Sequence, residues 1–127
     1  MTVSIEEEFA RITEHWSPRI IADANGQSVK LAKVKGEFVW HDHAGEDELF
    51  FIVKGSLTIR YRDRADAVLK AGDIHVVPRG VEHNPIAEEE CWLMLFEPAE
   101  TRHTGDVDAG LTKSAAEQRA HLQPADD

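Results

Sequence analysis

Along most of the chain apolar and polar residues trade places every one or two positions, in short runs broken by glycine, proline or charge, a pattern that predicts strands. The start differs. Ser4 and Glu7 have capping-box spacing, and Ile5, Phe9, Ile12 and Trp16 recur at helical intervals, so a short amphipathic helix is expected to run until Pro18 stops it. Residues 19–23 then read as a strand and Asn25-Gly26 as a type I′ hairpin turn. On the returning strand Val29, Leu31 and Lys33 alternate with Lys30, Ala32 and Val34. Further short strands are expected at residues 37–43, 48–53, 56–62, 67–70, 74–77 and 91–96. Residues 49–53 and 92–96 are apolar at every position, which predicts cover on both faces, with one face lining a barrel and the other meeting a second sheet or a second subunit. Beyond Pro98 the sequence turns polar, small and acidic, with a turn or two of helix expected within 113–122 and a solvated end. The organisation predicted is an N-terminal helix (1–17), a β-barrel (18–105) and a polar C-terminal tail (106–127).

Chemistry concentrates in four side chains. His41 and His43 stand one residue apart on the strand predicted over 37–43, so the pleat turns both imidazoles to one face and Trp40 and Asp42 to the other. Glu48 opens the next strand on the parity of Phe50 and Ile52, opposite to Leu49, Phe51 and Val53, and so faces the same interior. Farther on, Pro78 and Gly80 form a tight turn that delivers His83. Three neutral imidazoles and a carboxylate suit one divalent transition metal (Fe, Mn, Ni, Cu or Zn), and an octahedral ion would keep positions open for water, substrate or O₂. A closed structural zinc site normally contains cysteines, and Cys91 is the single cysteine of the chain.

Other polar residues receive plainer readings. Glu46 and Asp47 fall in a turn and on an outer face and read as solvated charge. His75, on the parity of Val77, reads as packed or surface, and His15, His103 and His121 form no constellation. Arg60 and Arg62 end a hairpin and solvate it, Cys91 is packing, and Phe50, two residues from Glu48, is the pocket candidate.

These residues also carry a family resemblance. Gly36, His-x-His at 41 and 43, Glu48 after four intervening residues and Gly55 after six more make one motif. Gly72, Pro78, Gly80 and His83 make a second. Together they resemble the two motifs of the cupin superfamily, and the wider sequence is similar to small bacterial single-domain cupins labelled sugar-phosphate isomerase-like. Two positions depart: Gly36 stands one residue closer to His41 than is usual, and Ala87 replaces the asparagine expected after His83. The resemblance implies an all-β fold, the double-stranded β-helix or jelly-roll barrel, here preceded by a short helix and hairpin. It implies His41, His43, Glu48 and His83 as metal ligands. It also implies an enzyme, either an iron dioxygenase or a metal-dependent isomerase or lyase, with a non-catalytic ligand-binding or sensing module as the alternative.

Composition narrows the partners. The 127 residues and 42% apolar content suit one domain with a real core. A formal charge of −10, from 24 acidic and 14 basic residues, repels phosphate backbones and anionic membranes, so a small-molecule ligand is expected rather than nucleic acid or membrane. The opening MTVSIEEEF lacks the basic and apolar regions of a secretory signal, and a lone cysteine suits a reducing compartment; a cytoplasmic homodimer is the expectation.

Overall fold

The computed structural model describes residues 1–99. The elements in order are α1 (Ile5–Ala10), β1 (Arg19–Ala24), β2 (Gln27–Glu37), β3 (Glu48–Lys54), β4 (Ser56–Tyr61), β5 (Ala67–Lys70), β6 (Ile74–Val77) and β7 (His83–Pro98). Asn25 and Gly26 both take positive φ, 54° and 76°, as a type I′ turn requires, and fold β1 back onto β2. Expected residues 113–122, His103, His121 and the tail lie outside the described residues.

One strand organises the barrel. β7 pairs antiparallel with β2 along most of its length; its later part also pairs with β3 (Ile52↔Leu93, Leu49↔Phe96) and its first residues with β4 (Tyr61↔His83). A register shift between Val34 and Gly36 on β2 marks the irregularity that lets β7 serve both walls. The order β1-β2-β7-β3-β6 forms one wall, and β4 with β5 forms the other. Between them Val34, Ile52, Leu57, Ile59, Cys91 and Leu93 make a closed core, since alternate residues of every strand point inward. The result is an all-β jelly-roll barrel with a short helix and hairpin in front. Gly55 joins β3 to β4 at φ 88°, where a Cβ would stand 2.9 Å from the Glu90 carbonyl oxygen, so only glycine fits this turn without strain.

Several expected boundaries change. Ser4 caps α1 as predicted, its hydroxyl accepting from the Glu7 N–H at 3.2 Å, but the helix ends at Ala10 rather than running to Pro18. Phe9 and Ile12 are buried, whereas Trp16 leaves the helix: its backbone N–H donates to Lys33 O at 2.9 Å, and its φ is 58°. Tertiary pairing with β2 thus overrides the helical spacing. The strand expected over 37–43 is absent as a ladder; β2 runs on to Glu37, and beyond it only His41 forms a bridge, exchanging N–H···O bonds with His83 at 3.0 and 2.9 Å. The strand expected at 91–96 begins at His83 and ends at Pro98.

Outer-face cover is also split in a way the apolar runs did not reveal. Phe9, Ile12, Ile21, Leu31 and Met94 form a second cluster against Phe51 and Val53, so α1 and the hairpin cover part of that face. Ile74, Val76 and Phe96, beside it, remain exposed. No helix among the described residues is long and apolar enough to cross a membrane.

Candidate metal centre

The two histidines that the missing strand was expected to carry are held by other means. The reciprocal bonds between His41 and His83 fix one, and the Gly80 N–H donating to His43 O at 2.8 Å fixes the other. Glu48 and His83 open β3 and β7, so both project inward from strand ends. Each of the four side chains offers one donor atom within 4.8 Å of the others, and all four residues are at most 3% exposed. His43 Nε2 lies 3.3 Å from Glu48 Oε2, and His83 Nε2 lies 3.2 Å from Glu48 Oε1.

Backbone carbonyls orient two of the rings. His41 Nδ1 lies 2.9 Å from Val39 O, and His83 Nδ1 lies 3.0 Å from Val81 O. A carbonyl only accepts, so Nδ1 carries a hydrogen in both rings and Nε2 is the nitrogen turned to the centre, the one through which a metal would bind each imidazole. Neither ring nitrogen of buried His43 has a hydrogen-bond partner of good geometry, and a coordinated ion would satisfy the one that faces Glu48.

The electrostatics match an ion's place. Burial alone would raise the Glu48 carboxyl, but the His43 and His83 rings, 3.3 and 3.2 Å from its oxygens, hold it well below the usual carboxylate range. For His43, burial pulls downward, yet the Glu48 carboxylate outweighs it and raises the pKa to about 9. Burial, followed by the charge of His83, lowers His41 to about 4. A cluster that keeps the Glu48 carboxylate charged and a proton on His43 without metal can exchange that proton for a cation. Three imidazoles and a carboxylate fit Fe, Mn, Ni, Cu or Zn, and leave positions for another ligand on ions that take five or six donors.

Residues 28–97 match the Cupin domain family. The chain belongs to that family. A cupin-2 domain containing protein of Shewanella frigidimarina, solved by crystallography, is 48% identical, with 76% of this chain and 93% of that one covered and a TM-score of 0.73. NMB1881 of Neisseria meningitidis is 33% identical over 77% of this chain and 99% of its own, with a TM-score of 0.71. The uncharacterized protein YdbB of Bacillus subtilis is 43% identical over 63 residues, half of this chain, and the match spans 56% of that relative.

Within this cupin barrel some polar residues depart from their plain readings. Glu46 is not simply solvated: its Oε1 lies 3.4 Å from His43 Nδ1, on the side of the ring away from Glu48. Asp47 accepts the Arg79 backbone N–H at 2.9 Å and stays outside. His75 is hydrogen-bonded to the Tyr61 hydroxyl at 2.7 Å, and Arg60 bonds Asn84 Oδ1 at 3.0 and 2.7 Å while Arg62 lies over Trp40. Asn84 Nδ2 in turn donates to Phe38 O at 2.6 Å, bracing the segment that leads to His41. Cys91 is buried, and burial pushes its thiol up to about 11, as inert packing requires.

One buried pair escaped the sequence reading altogether. Lys30 Nζ lies 3.1 Å from Glu97 Oε1, with both side chains fully buried. The pairing Leu49↔Phe96 makes Glu97 the cross-strand neighbour of Glu48, so this ion pair stands directly behind the metal donors. Burial, then the Glu48 charge, raises the Glu97 carboxyl to about 7 despite Lys30. Its signal was available: Lys30 shares parity with Ala32 and Val34, and Glu97 shares parity with Leu93 and Leu95.

Proposed function

We propose that this cupin is a metal-dependent enzyme acting on a small molecule, either a dioxygenase or an isomerase or lyase. The observation that carries the reading is the convergence of four fully enclosed donor atoms beside a pocket that His41 and Glu48 help to line. A divalent ion bound there supplies Lewis acidity, or, as iron, access to O₂. The chain's own part is to hold His41 and His83 in one tautomer through Val39 and Val81. It also keeps Glu48 ionised and shields the centre from water with Phe38 and Phe50. Phe50, at 4% exposure, supports its reading as a pocket wall.

The test is turnover by the protein loaded with each metal in turn. Oxygen uptake by the Fe(II) form with small phenols or enolic acids, coupled to a ring-opened or cleaved product by mass spectrometry, supports the dioxygenase. Isomerised or eliminated product from the Mn, Ni or Zn form without oxygen uptake supports the other arm. Saturable ligand binding with no product from any form assigns the non-catalytic module instead.

We place the protein in the cytoplasm as a homodimer. Ile74 and Val76 pair with Phe51 and Leu49, and Leu49 pairs with Phe96, so the exposed side chains form one apolar surface across β6, β3 and β7. A second copy is the occupant best suited to an exposed apolar surface that is part of a sheet.

A further inference from the structure

The three imidazoles of the centre are not oriented alike. In His41 and His83 the Nδ1 hydrogen goes to the carbonyl two residues back, Val39 O and Val81 O. By the same rule His43 would use His41 O, but that carbonyl already accepts the His83 N–H at 2.9 Å in the bridge between the two segments. Neither ring nitrogen of His43 has a hydrogen bond of good geometry, although its side chain is only 2% exposed. Nε2, 3.3 Å from Glu48 Oε2, faces the other donors, and an ion there would take its lone pair. Nδ1 is then left as a buried N–H, a group that is costly to leave without an acceptor.

An acceptor stands beside it. Glu46 Oε1 lies 3.4 Å from His43 Nδ1, and the Glu46 side chain is 27% exposed, so its carboxylate meets the ring on one side and solvent on the other. The loop that carries it is held to the 78–80 turn at both ends: the Gly80 N–H donates to His43 O at 2.8 Å, and Asp47 Oδ1 accepts the Arg79 N–H at 2.9 Å. Glu46 thus occupies a short span with its ends pinned, next to the ring it faces. A charge-assisted N–H···O bond is about 2.7–2.9 Å long, so a movement of roughly half an ångström closes the contact.

We propose that Glu46 is a positioning residue for the metal centre: its carboxylate accepts the Nδ1 hydrogen of His43 and so turns Nε2 toward the ion. This inference rests on the metal reading above and extends it beyond the four ligands. A carboxylate behind an imidazole fixes its tautomer and raises its basicity as a ligand, and an ionised acceptor does so more strongly than the neutral carbonyls behind His41 and His83. His43 is thereby the strongest imidazole donor of the three, and the loop at 44–47 is part of the centre.

The test is Co(II) binding by the full chain, followed through the visible spectrum and by calorimetry, beside Glu46→Ala and Glu46→Gln. Glu46→Ala should weaken binding by about 10–100-fold, the usual effect of losing a partner behind a ligand, while the circular dichroism of the metal-free chain stays the same. Glu46→Gln should recover most of that loss, because its amide oxygen still accepts the hydrogen. Nitrogen-15 NMR of the Zn(II)-loaded protein adds a readout that a merely structural role would not move. In the wild type all three ligand rings should show a protected N–H at Nδ1, and Glu46→Ala should lose that protection at His43 alone. The wild-type spectrum decides the question even if a variant fails to fold. Unchanged Co(II) affinity in Glu46→Ala, equal losses in the two variants, or His43 bound through Nδ1 overturns this inference alone. A wild-type chain that takes up neither Co(II) nor Zn(II) overturns the metal reading and this inference with it.

Discussion

His43 is the residue on which the state of the centre turns, because in the metal-free protein it holds the proton that a cation must displace. Its pKa, raised to about 9 against burial by the Glu48 carboxylate, lies above its unfolded value. The stabilisation it provides is therefore complete below pH 6.5 and lost as the pH rises through 9. His41 has the opposite sign: lowered to about 4 by burial and His83, it gives stability that is lost as the pH falls from 6.5 toward 4. Glu97, raised to about 7, gives stability that is lost as the pH rises from 4.5 to 7 and so offsets His41 over most of that range. Metal-free protein should thus hold its thermal midpoint between about pH 4.5 and 6.5 and lose it as the pH rises further. Metal-loaded protein should lack the alkaline fall. Binding one ion at pH 7 should also release about one proton, measured by calorimetry in buffers of different ionisation enthalpy; no proton release would contradict the charge assignment. At this scale Glu48 was legible because period-two geometry makes parity a statement about faces, whereas His41 and His43 reach the same interior although the strand expected to carry them is absent. Trp16 was not, since its position depends on bonds to Lys33 and Lys35, distant in sequence. Glu46 was not, because a loop has no period from which to infer direction.

Among the elements, short strands bounded by turn residues were the most legible, and β5 and β6 fall at the expected residues. The hairpin was equally clear, since Asn-Gly leaves the chain few alternatives at that turn. What local pattern could not reveal was the length of β7, whose first residues are polar and contain Pro85 but are fixed by pairing with β2 and β4. The helix failed for the converse reason, good local spacing overruled by a distant strand. Glycine spacing also has a testable physical meaning. Gly55 has positive φ and backbone atoms of Glu90 and Cys91 at 2.9 and 3.2 Å from an added Cβ, whereas Gly72 has positive φ and open space. Gly72→Ala should cost about 1 kcal/mol, the conformational term alone. Gly55→Ala should cost about 2–4 kcal/mol because the clash adds to it. Urea denaturation of the two variants checks the ranking, and equal losses would show that the close approach to Glu90 carries no energy.

For the whole molecule, the barrel and the convergence of four candidate donors inside it were legible in two spaced motifs, while the distribution of outer cover was not. An apolar run states that both faces want cover, but not whether α1, a hairpin or another chain supplies it. The surface left open by α1 carries the dimer proposal. Ile74→Glu combined with Val76→Glu should convert a dimer into a folded monomer, seen by sedimentation as a halved mass with an unchanged circular dichroism spectrum. A wild-type chain that sediments as a monomer at every concentration would remove the second copy as the occupant of that surface.

The claim beneath all of this is that His41, His43, Glu48 and His83 hold a divalent ion. The most direct measurement is elemental analysis of untagged protein purified without chelator, with Glu48→Ala and His83→Ala prepared in parallel. Losing a ligand should sharply lower retention while the barrel still folds. The account predicts about one transition-metal ion per wild-type chain and a small fraction of that in either variant. Stoichiometric iron would favour the oxygen-using arm, and manganese, nickel or zinc the other. Wild-type protein that retains no metal and takes up none from added salts would contradict the account, leaving a cupin barrel whose chemistry does not involve a metal.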